Sequence, residues 1–285
     1  MRYRVRHATS YRYAETVDLA CHLLHLSPRA LPEQRVLAAH ITAAPEPSRV
    51  VTREDYFGNT VGWLFLDRPH AQFAVTLAAE VEVAPAPAPP AAATPPWETV
   101  VATAMRSEAA EFAFASPMAP AEAAAGSYAA ASFPPGRPVL AGLLDLTRRI
   151  HQDFAYRPGA TSVATPVARV LSERAGVCQD FAHLMIAALR AFGLPARYVS
   201  GYVRTRPPPG GAARRGADAS HAWVGCWLGA EHGWIGLDPT NDLVVQDEHV
   251  VLGWGRDFGD VSPLRGIILG GGTHGVSVAV ELEPV

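Results

Sequence analysis

The chain has 285 residues, of which 49% are hydrophobic and 18% are charged, and its formal net charge at pH 7 is −3. Such a chain is too apolar to be disordered, and its charge is too small to drive binding to nucleic acid or to a membrane surface. All 24 basic residues are Arg. The lack of Lys excludes P-loop NTPases, Schiff-base enzymes and pyridoxal-phosphate enzymes, because each of these needs the Lys amine.

The three cysteines, Cys21, Cys178 and Cys226, are widely spaced and odd in number, so the sequence predicts no disulfide framework. The N-terminus alternates polar and apolar residues from the start and has no apolar signal region. No run reaches the ~18 consecutive apolar residues that a membrane helix needs. We therefore expect a soluble, cytoplasmic protein with reduced cysteines and no membrane partner.

The first 83 residues alternate polar and apolar side chains with period two, beginning at Tyr3 and Val5. Turn signals such as Phe57-Gly58-Asn59 separate the alternating runs. This pattern predicts about six short strands that form an antiparallel β-sandwich over 1–83. The predicted strands begin at residue 3 and then cover 19–26, 36–42, 49–53, 61–66 and 73–83.

The segment 84–96, APAPAPPAAATPP, is typical of a semi-rigid linker of polyproline type. Its prolines exclude a strand or helix, so the segment marks a domain boundary. The domain after it, 97–285 with a core of about 138–260, combines helices with antiparallel strands, and the fold class is α+β. Helices are predicted over 97–115, 138–154 and 178–192, and strands over 196–204, 221–228, 234–237 and 276–281.

Cys178 lies where a loop meets the first turn of the most regular predicted helix, which Gly193 and Pro195 end. Unpaired backbone N–H groups and the positive end of the helix dipole favour a thiolate at this place. A thiolate is the nucleophilic form of cysteine. Position alone leaves a second interpretation open, because free cysteines are often small buried core residues.

A predicted hairpin further along the chain supplies a base and a carboxylate. If Leu228 pairs with Gly233, then Trp223 lies opposite Asp238 and His221 is its diagonal neighbour, roughly 7–8 Å away at the backbone. A shift of one residue would place Asp238 on the other face of the sheet. With the first register, the sequence predicts Cys–His–Asp nucleophilic catalysis.

Four motifs occur in a specific order, and together they resemble the transglutaminase-like superfamily, in particular its bacterial members with an N-terminal β-domain. Both chain ends, residues 1–13 and 255–266, are also similar to that group. The motifs are Gly176-Val-Cys178-Gln-Asp-Phe-Ala-His183, Gly193-Leu-Pro-Ala-Arg197-Tyr-Val-Ser-Gly-Tyr202, Ser220-His-Ala-Trp223 and Trp234-Ile-Gly-Leu-Asp-Pro-Thr240.

The resemblance implies a papain-like catalytic fold in which Cys178 attacks a carboxamide or peptide carbonyl to form a thioester. It assigns His221 as general base and then general acid, and Asp238 as the residue that holds the imidazole. It also implies that the backbone N–H of Cys178 belongs to the oxyanion hole. No cofactor is implied, and the expected partner is a peptide or protein amide substrate.

The thioester could pass to water or to an amine. The sequence lacks the acidic calcium-site clusters of animal transglutaminases, which favours hydrolysis or small-scale amide exchange. Cross-linking of Gln to amines is the alternative within the same chemistry. A catalytically silent peptide-binding scaffold is the alternative from another class.

Four further residues are candidates for substrate binding. Tyr202 and Trp223 could line the cleft, although packing in the core is the more usual role for such residues. The Pro- and Gly-rich segment 205–219 leads directly into His221, and a structureless stretch of this length is often functional. Arg214 and Arg215 make it cationic, which predicts a flap that favours acidic substrates; the alternative is an ordinary solvated loop.

A zinc site is suggested superficially by Cys178-x₄-His183 and His221-x₄-Cys226. Residues five apart differ by about 140° in direction on a helix and point to opposite faces on a strand. Neither pair can therefore bind one ion from a regular element. We predict no metal site.

Overall fold

The computed structural model describes residues 1–204, 214–216 and 219–285. It contains fourteen strands and six α-helices within these residues. The N-terminal strands are β1 Arg2–Leu24, β2 Gln34–Ala44, β3 Arg49–Glu54, β4 Thr60–Leu66 and β5 His70–Val83. Then follow α1 Trp97–Ala104, α2 Ala123–Ala129, α3 Val139–Asp153, β6 Ala155–Tyr156, α4 Val167–Glu173, β7 Ala175–Gly176, α5 Cys178–Arg190, β8 Ala196–Val203, β9 His221–Trp227 and β10 Trp234–Asp238. The last elements are β11 Leu243–Val244, β12 His249–Gly255, α6 Phe258–Val261, β13 Leu264–Gly270 and β14 His274–Pro284.

A seven-stranded antiparallel sheet contains β1 to β5 together with β13 and β14. Its long first strand changes partners along its length. The first half of β1 lies between β5 and β14, and the second half lies between β4 and β13. The register shifts between Arg12 and Val17, where the strand bends. The bend lets Val17, Leu64 and Phe73 share one core, so the predicted sandwich is one sheet curled over itself.

The predicted domain range 97–285 is wrong at its end. Strands β13 and β14 pair with β1 and therefore complete the N-terminal sheet. Period-two alternation predicts a strand at 276–281, but it carries no information about which sheet receives that strand. Their position late in the chain suggests that they belong to the sheet of the C-terminal domain. Their pairing with β1 instead places them in the N-terminal sheet.

A five-stranded antiparallel sheet, in the order β11-β10-β9-β8-β12, carries helix α5 on one face. Alternate residues of β9, Ala222, Val224 and Cys226, are buried in the same core as Phe181 and Met185 of the helix. The helix ends before Gly193, whose φ of +77° is readily adopted only by glycine. The predicted helix and hairpin are thus both present, and the α+β class is confirmed.

The two sheets share a core. Tyr3 and Val5 of β1 pack with Tyr202 of β8 and Val250 of β12. The Gln34 side chain adds hydrogen bonds to both the N–H and the C=O of Val251, at 2.7 and 2.8 Å.

The segment 84–96 connects two packed layers and includes one 3₁₀ turn, Ala91–Ala93. Within the part of the chain that the structure describes, no helix is both long and apolar enough to cross a membrane.

Candidate active site

Cys178 is the first residue of α5, and it is 9% exposed. The residue before it, Val177, is extended and donates its N–H to Asp180 Oδ2 at 2.8 Å, which fixes the first helical turn. Thr161 donates to the same oxygen at 2.6 Å. Among the described residues, no acceptor receives the N–H of Cys178 itself. That donor therefore remains available at the helix N-terminus.

The β9–β10 hairpin has the register that the sequence predicts. Leu228 donates its N–H to the carbonyl of Gly233 at 2.9 Å, and Leu237 lies opposite Val224. This register brings the two predicted side chains together, with His221 Nε2 at 2.8 Å from Asp238 Oδ2. Both side chains have no exposed surface.

Five donors surround the Asp238 carboxylate. Oδ1 accepts the backbone N–H groups of Thr240 and Asn241 at 2.9 and 3.2 Å. Oδ2 accepts from His221 Nε2, from Asn241 Nδ2 at 2.8 Å, and from His249 Nε2 at 3.3 Å. Burial alone would raise the pKa of Asp238, but the interactions with His221 and His249 outweigh it and lower the pKa. The carboxylate is therefore ionised, and both histidines present an N–H to it.

The other imidazole nitrogen of His221, Nδ1, does not contact Asp238, and the ring also interacts with the Cys178 side chain. Nδ1 is buried and accepts no hydrogen bond from described side chains or backbone. Burial lowers the pKa of His221, but Asp238 and Cys178 outweigh that effect and raise the pKa to about 10. His221 is thus a cation near neutral pH, held by a carboxylate on one nitrogen and placed beside a thiol on the other. This is the arrangement that stabilises a thiolate.

Gly216 covers the Nδ1 edge of His221. A Cβ on Gly216 would lie 2.8 Å from His221 Nδ1 and 3.3 Å from the Tyr156 hydroxyl, and its φ of +75° also requires glycine. The neighbouring Arg215 N–H donates to Asn241 Oδ1 at 2.9 Å, which ties this segment to the Asp238 network. Of the predicted flap 205–219, residues 205–213 and 217–218 lie outside the described residues.

The prediction that Tyr202 binds substrate is wrong. Its ring is fully buried between the two sheets, and its hydroxyl is 2.8 Å from His7 Nδ1. Trp223 is 1% exposed and packs edge-on against His249 at 5.2 Å, so it does not wall an open catalytic cleft. Tyr202 therefore packs between the sheets, and Trp223 packs beside His249, because β8 and β9 are inner strands of the second sheet.

The two predicted cationic residues have different surroundings. Arg214 forms a two-pronged ion pair with Glu248, at 2.8 and 2.6 Å from Oε2. Its charge is therefore largely neutralised in this conformation. Arg215 is exposed, and its backbone rather than its guanidinium holds Asn241. The preference for acidic substrates stays a prediction for both residues.

Neither superficial zinc pair forms a cluster in the structure. His183 Nε2 accepts the N–H of Phe258 at 3.2 Å, and Cys226 is buried beneath α5. Three other side chains, His221, Asp238 and His249, offer ligand atoms within 4.8 Å of one another. Their geometry is that of N–H groups directed at one carboxylate oxygen, and that oxygen also receives the Asn241 amide.

Sequence reasoning missed His249 and Asn241. Asn241 follows Asp238 in an Asp-Pro-Thr-Asn turn, and Asp side chains often accept backbone N–H groups two or three residues on. That signal could have placed Asn241 beside the carboxylate. No spacing rule links His249 to Asp238, because β12 reaches the site through pairing with β8 at the far edge of the sheet.

Two family models match most of the chain. Residues 3–82 match the model of the bacterial transglutaminase-like N-terminal region. Residues 132–239, which include Cys178, His221 and Asp238, match the model of the transglutaminase-like superfamily.

Individual relatives cover different shares of the chain. An uncharacterized protein of Mycobacterium tuberculosis is 42% identical over 99% of this chain and 93% of its own length. A protein-glutamine gamma-glutamyltransferase of Pseudomonas aeruginosa is 37% identical over 131 residues, which are 42% of this chain and 19% of that protein. A crystal structure from Cytophaga hutchinsonii, described as a candidate cysteine protease, shares the fold with a TM-score of 0.78 at 22% identity and covers 99% of this chain and 90% of that one. The chain belongs to the transglutaminase-like superfamily and carries its bacterial N-terminal region.

Proposed function

We propose that this protein is a cysteine-nucleophile enzyme that hydrolyses a peptide or protein amide through a Cys178 thioester. The observation that carries the proposal is the position of His221. Its Nε2 is 2.8 Å from an ionised, buried Asp238, and its ring also interacts with the side chain of Cys178 at the N-terminus of α5. A nucleophile, a base and an orienting carboxylate in this order support acyl transfer.

The chemistry follows from these positions. Cys178 Sγ, having given its proton to His221 Nδ1, attacks the amide carbon, and the carbonyl oxygen becomes an oxyanion. The unpaired N–H of Cys178 is placed to donate to that oxyanion. His221 then protonates the departing amine, and the C–N bond breaks to leave a thioester. Water, deprotonated by His221, attacks the thioester and releases a carboxylic acid and the free thiol.

Water is the acceptor that the closed site favours. Cys178 is 9% exposed and His221 is 1% exposed, and Gly216 lies directly over the imidazole. Once the acyl group is bound to Cys178, water needs less room beside it than an amine does. Transfer from Gln to an amine is the second candidate, supported by the 37% identity to the P. aeruginosa protein-glutamine gamma-glutamyltransferase.

A product analysis decides between the two acceptors. Glutamine-containing peptides are incubated in H₂¹⁸O with and without hydroxylamine or a fluorescent primary amine, and the products are identified by mass. We expect ¹⁸O-labelled acid as the main product at millimolar amine. Amide product in excess under these conditions would favour transfer and contradict hydrolysis.

Variants of two cysteines separate catalysis from simple binding. Cys178→Ala should abolish product formation. The matched control is Cys21→Ala, which changes a half-buried thiol in β1 of the other sheet and should leave activity unchanged. If Cys178→Ala retained the full biochemical effect of the wild type, the protein would instead be a peptide-binding scaffold.

A further inference from the structure

A cavity of about 450 Å³ lies on the opposite face of the second sheet from α5. Alternate residues of β9 divide between the two faces: Val224 and Cys226 pack under the helix, whereas Trp223 and Gly225 line the cavity. The Ala- and Pro-rich segment 83–89 forms the facing wall. Neither Cys178 nor His221 is among the lining residues, so this space is separate from the catalytic thiol.

Arg197 is the main charged group in the cavity wall. Its guanidinium carbon lies 3.7 Å from the ring centre of Trp254 and 4.2 Å from that of Trp234. Both indole rings contact the guanidinium, and such aromatic contacts stabilise a cation without accepting its N–H groups as a carboxylate would. Within the described part of the chain, Arg197 forms no ion pair and no side-chain hydrogen bond, and its Nε is buried without a partner.

Arg197 is partly buried, and a cation with reduced access to solvent is usually paired in proteins. Burial and the nearby Arg29 lower the pKa of Arg197 to about 9, although the more distant charges of Glu108 and Glu33 act in the opposite direction. Arg29 stacks on Trp254 at 3.6 Å, but it is compensated by a 2.7 Å hydrogen bond to Asn59. Both arginines contact Trp254, but only Arg29 has a hydrogen-bond acceptor for its guanidinium among the described residues.

The other polar groups that line the cavity do not neutralise Arg197 by an ion pair, so an anion could bind there. Glu33 is the acid among the lining residues; it is exposed and forms no ion pair with Arg197. His249 is 2% exposed and gives its Nε2 hydrogen to Asp238, so its Nδ1 is a buried acceptor without a partner. The cavity therefore offers a guanidinium and aromatic walls.

We propose that this cavity binds a small organic carboxylate with an apolar or aromatic body, and that Arg197 takes the carboxylate. A guanidinium edge binds a carboxylate through two parallel hydrogen bonds. The tryptophan and proline walls suit an apolar body, and the volume is in the usual range for small-ligand sites. The ligand could be a free acid or the C-terminus of a peptide.

Binding is tested by calorimetry with pairs of probes that differ in the carboxylate alone. The probes are 3-phenylpropionate against 3-phenylpropionamide for a free acid, and N-acetylphenylalanine against its primary amide for a peptide C-terminus. Cys178→Ala protein is used beside the wild type so that turnover cannot consume an amide. We expect each acid to bind at least tenfold more tightly than its amide. Preference for N-acetylphenylalanine would identify the peptide terminus, and equal binding of the acids would identify a free acid.

Two variants test the assigned cation. Arg197→Gln should weaken binding of the acids at least tenfold and leave the amides unchanged, whereas Arg29→Gln, the matched compensated cation, should bind within twofold of wild type. Gln246→Glu adds a negative charge to the lining without altering Arg197 and should also weaken acid binding. The proposal is overturned if no acid binds, if amides bind as tightly as acids, or if both lining variants bind acids like the wild type.

Discussion

Replacing Asp238 by Asn should remove most activity while the protein stays folded. Oδ1 accepts two backbone N–H groups, so the amide oxygen of Asn takes that place and its NH₂ group replaces Oδ2. The new NH₂ then faces the Nε2–H of His221, which is 2.8 Å from Oδ2 in the wild type. His221 must change tautomer to avoid two opposed donors, and its proton moves to the nitrogen beside Cys178.

The size of the effect follows from these contacts. A protonated Nδ1 on a neutral imidazole cannot act as the base, and the same change in a serine-protease triad costs about 10⁴ in kcat. Without the carboxylate, His221 loses the main negative charge that raises its pKa. Burial then lowers that pKa. Breaking a buried charge pair costs about 3–5 kcal/mol of unfolding free energy, against a total of about 5–15 kcal/mol for a typical protein, so the folded fraction of the variant is measured together with its activity.

The assay measures kcat/KM against pH and the free energy of unfolding in urea for both proteins. Asp242→Asn is the matched control, because Asp242 is an exposed acid four residues on, and its φ of +52° is tolerated by Asn. We expect the control to keep wild-type activity. An Asp238→Asn protein with more than about a tenth of wild-type kcat/KM would refute the role assigned to the carboxylate.

Two further predictions follow from packing and burial. Gly216→Ala should lower kcat/KM about tenfold, because the new Cβ would lie 2.8 Å from His221 Nδ1. Gly159→Ala is the matched control. Gly159 has a similar φ of +80°, no atom lies within 4 Å of the position of its Cβ, and the substitution should leave activity unchanged. Burial lowers the pKa of His183 to about 4, whereas an unfolded imidazole titrates near 6.5. The unfolded chain therefore binds more protons between these values, so the unfolding free energy falls as pH falls from about 6.5 to 4. His183→Gln should reduce that slope by about 1.4 kcal/mol per pH unit, and an unchanged slope would contradict the assignment.

The elements that hold the candidate triad could be predicted because their signals are local. The apolar spacing that ends at Gly193 gives α5, and the turn between Leu228 and Gly233 sets which residues of the hairpin face each other. Register in a short hairpin depends on the turn, so His221 and Asp238 could be brought together from the sequence alone.

The features that the sequence did not reveal depend on long-range pairing. Strand β14 has the same alternation whichever sheet receives it, and its pairing with β1 joins the two ends of the chain. Tyr202 follows the same rule: its position on a strand was predictable, but the layer that covers it, around Tyr3 and His7, comes from the first strand of the protein. Local patterns carry no information about such partners.

The most direct test of the central claim is the rate at which iodoacetamide labels each cysteine as a function of pH, with the labelled peptide identified by mass. We expect Cys178 to react much faster than Cys21 at pH ~6, because a cationic His221 stabilises the thiolate. The His221→Ala protein should lose this difference. If Cys178 reacts no faster than Cys21 at pH ~6, or if His221→Ala leaves its rate unchanged, no working thiolate–imidazolium pair exists and the proposed catalytic mechanism is contradicted.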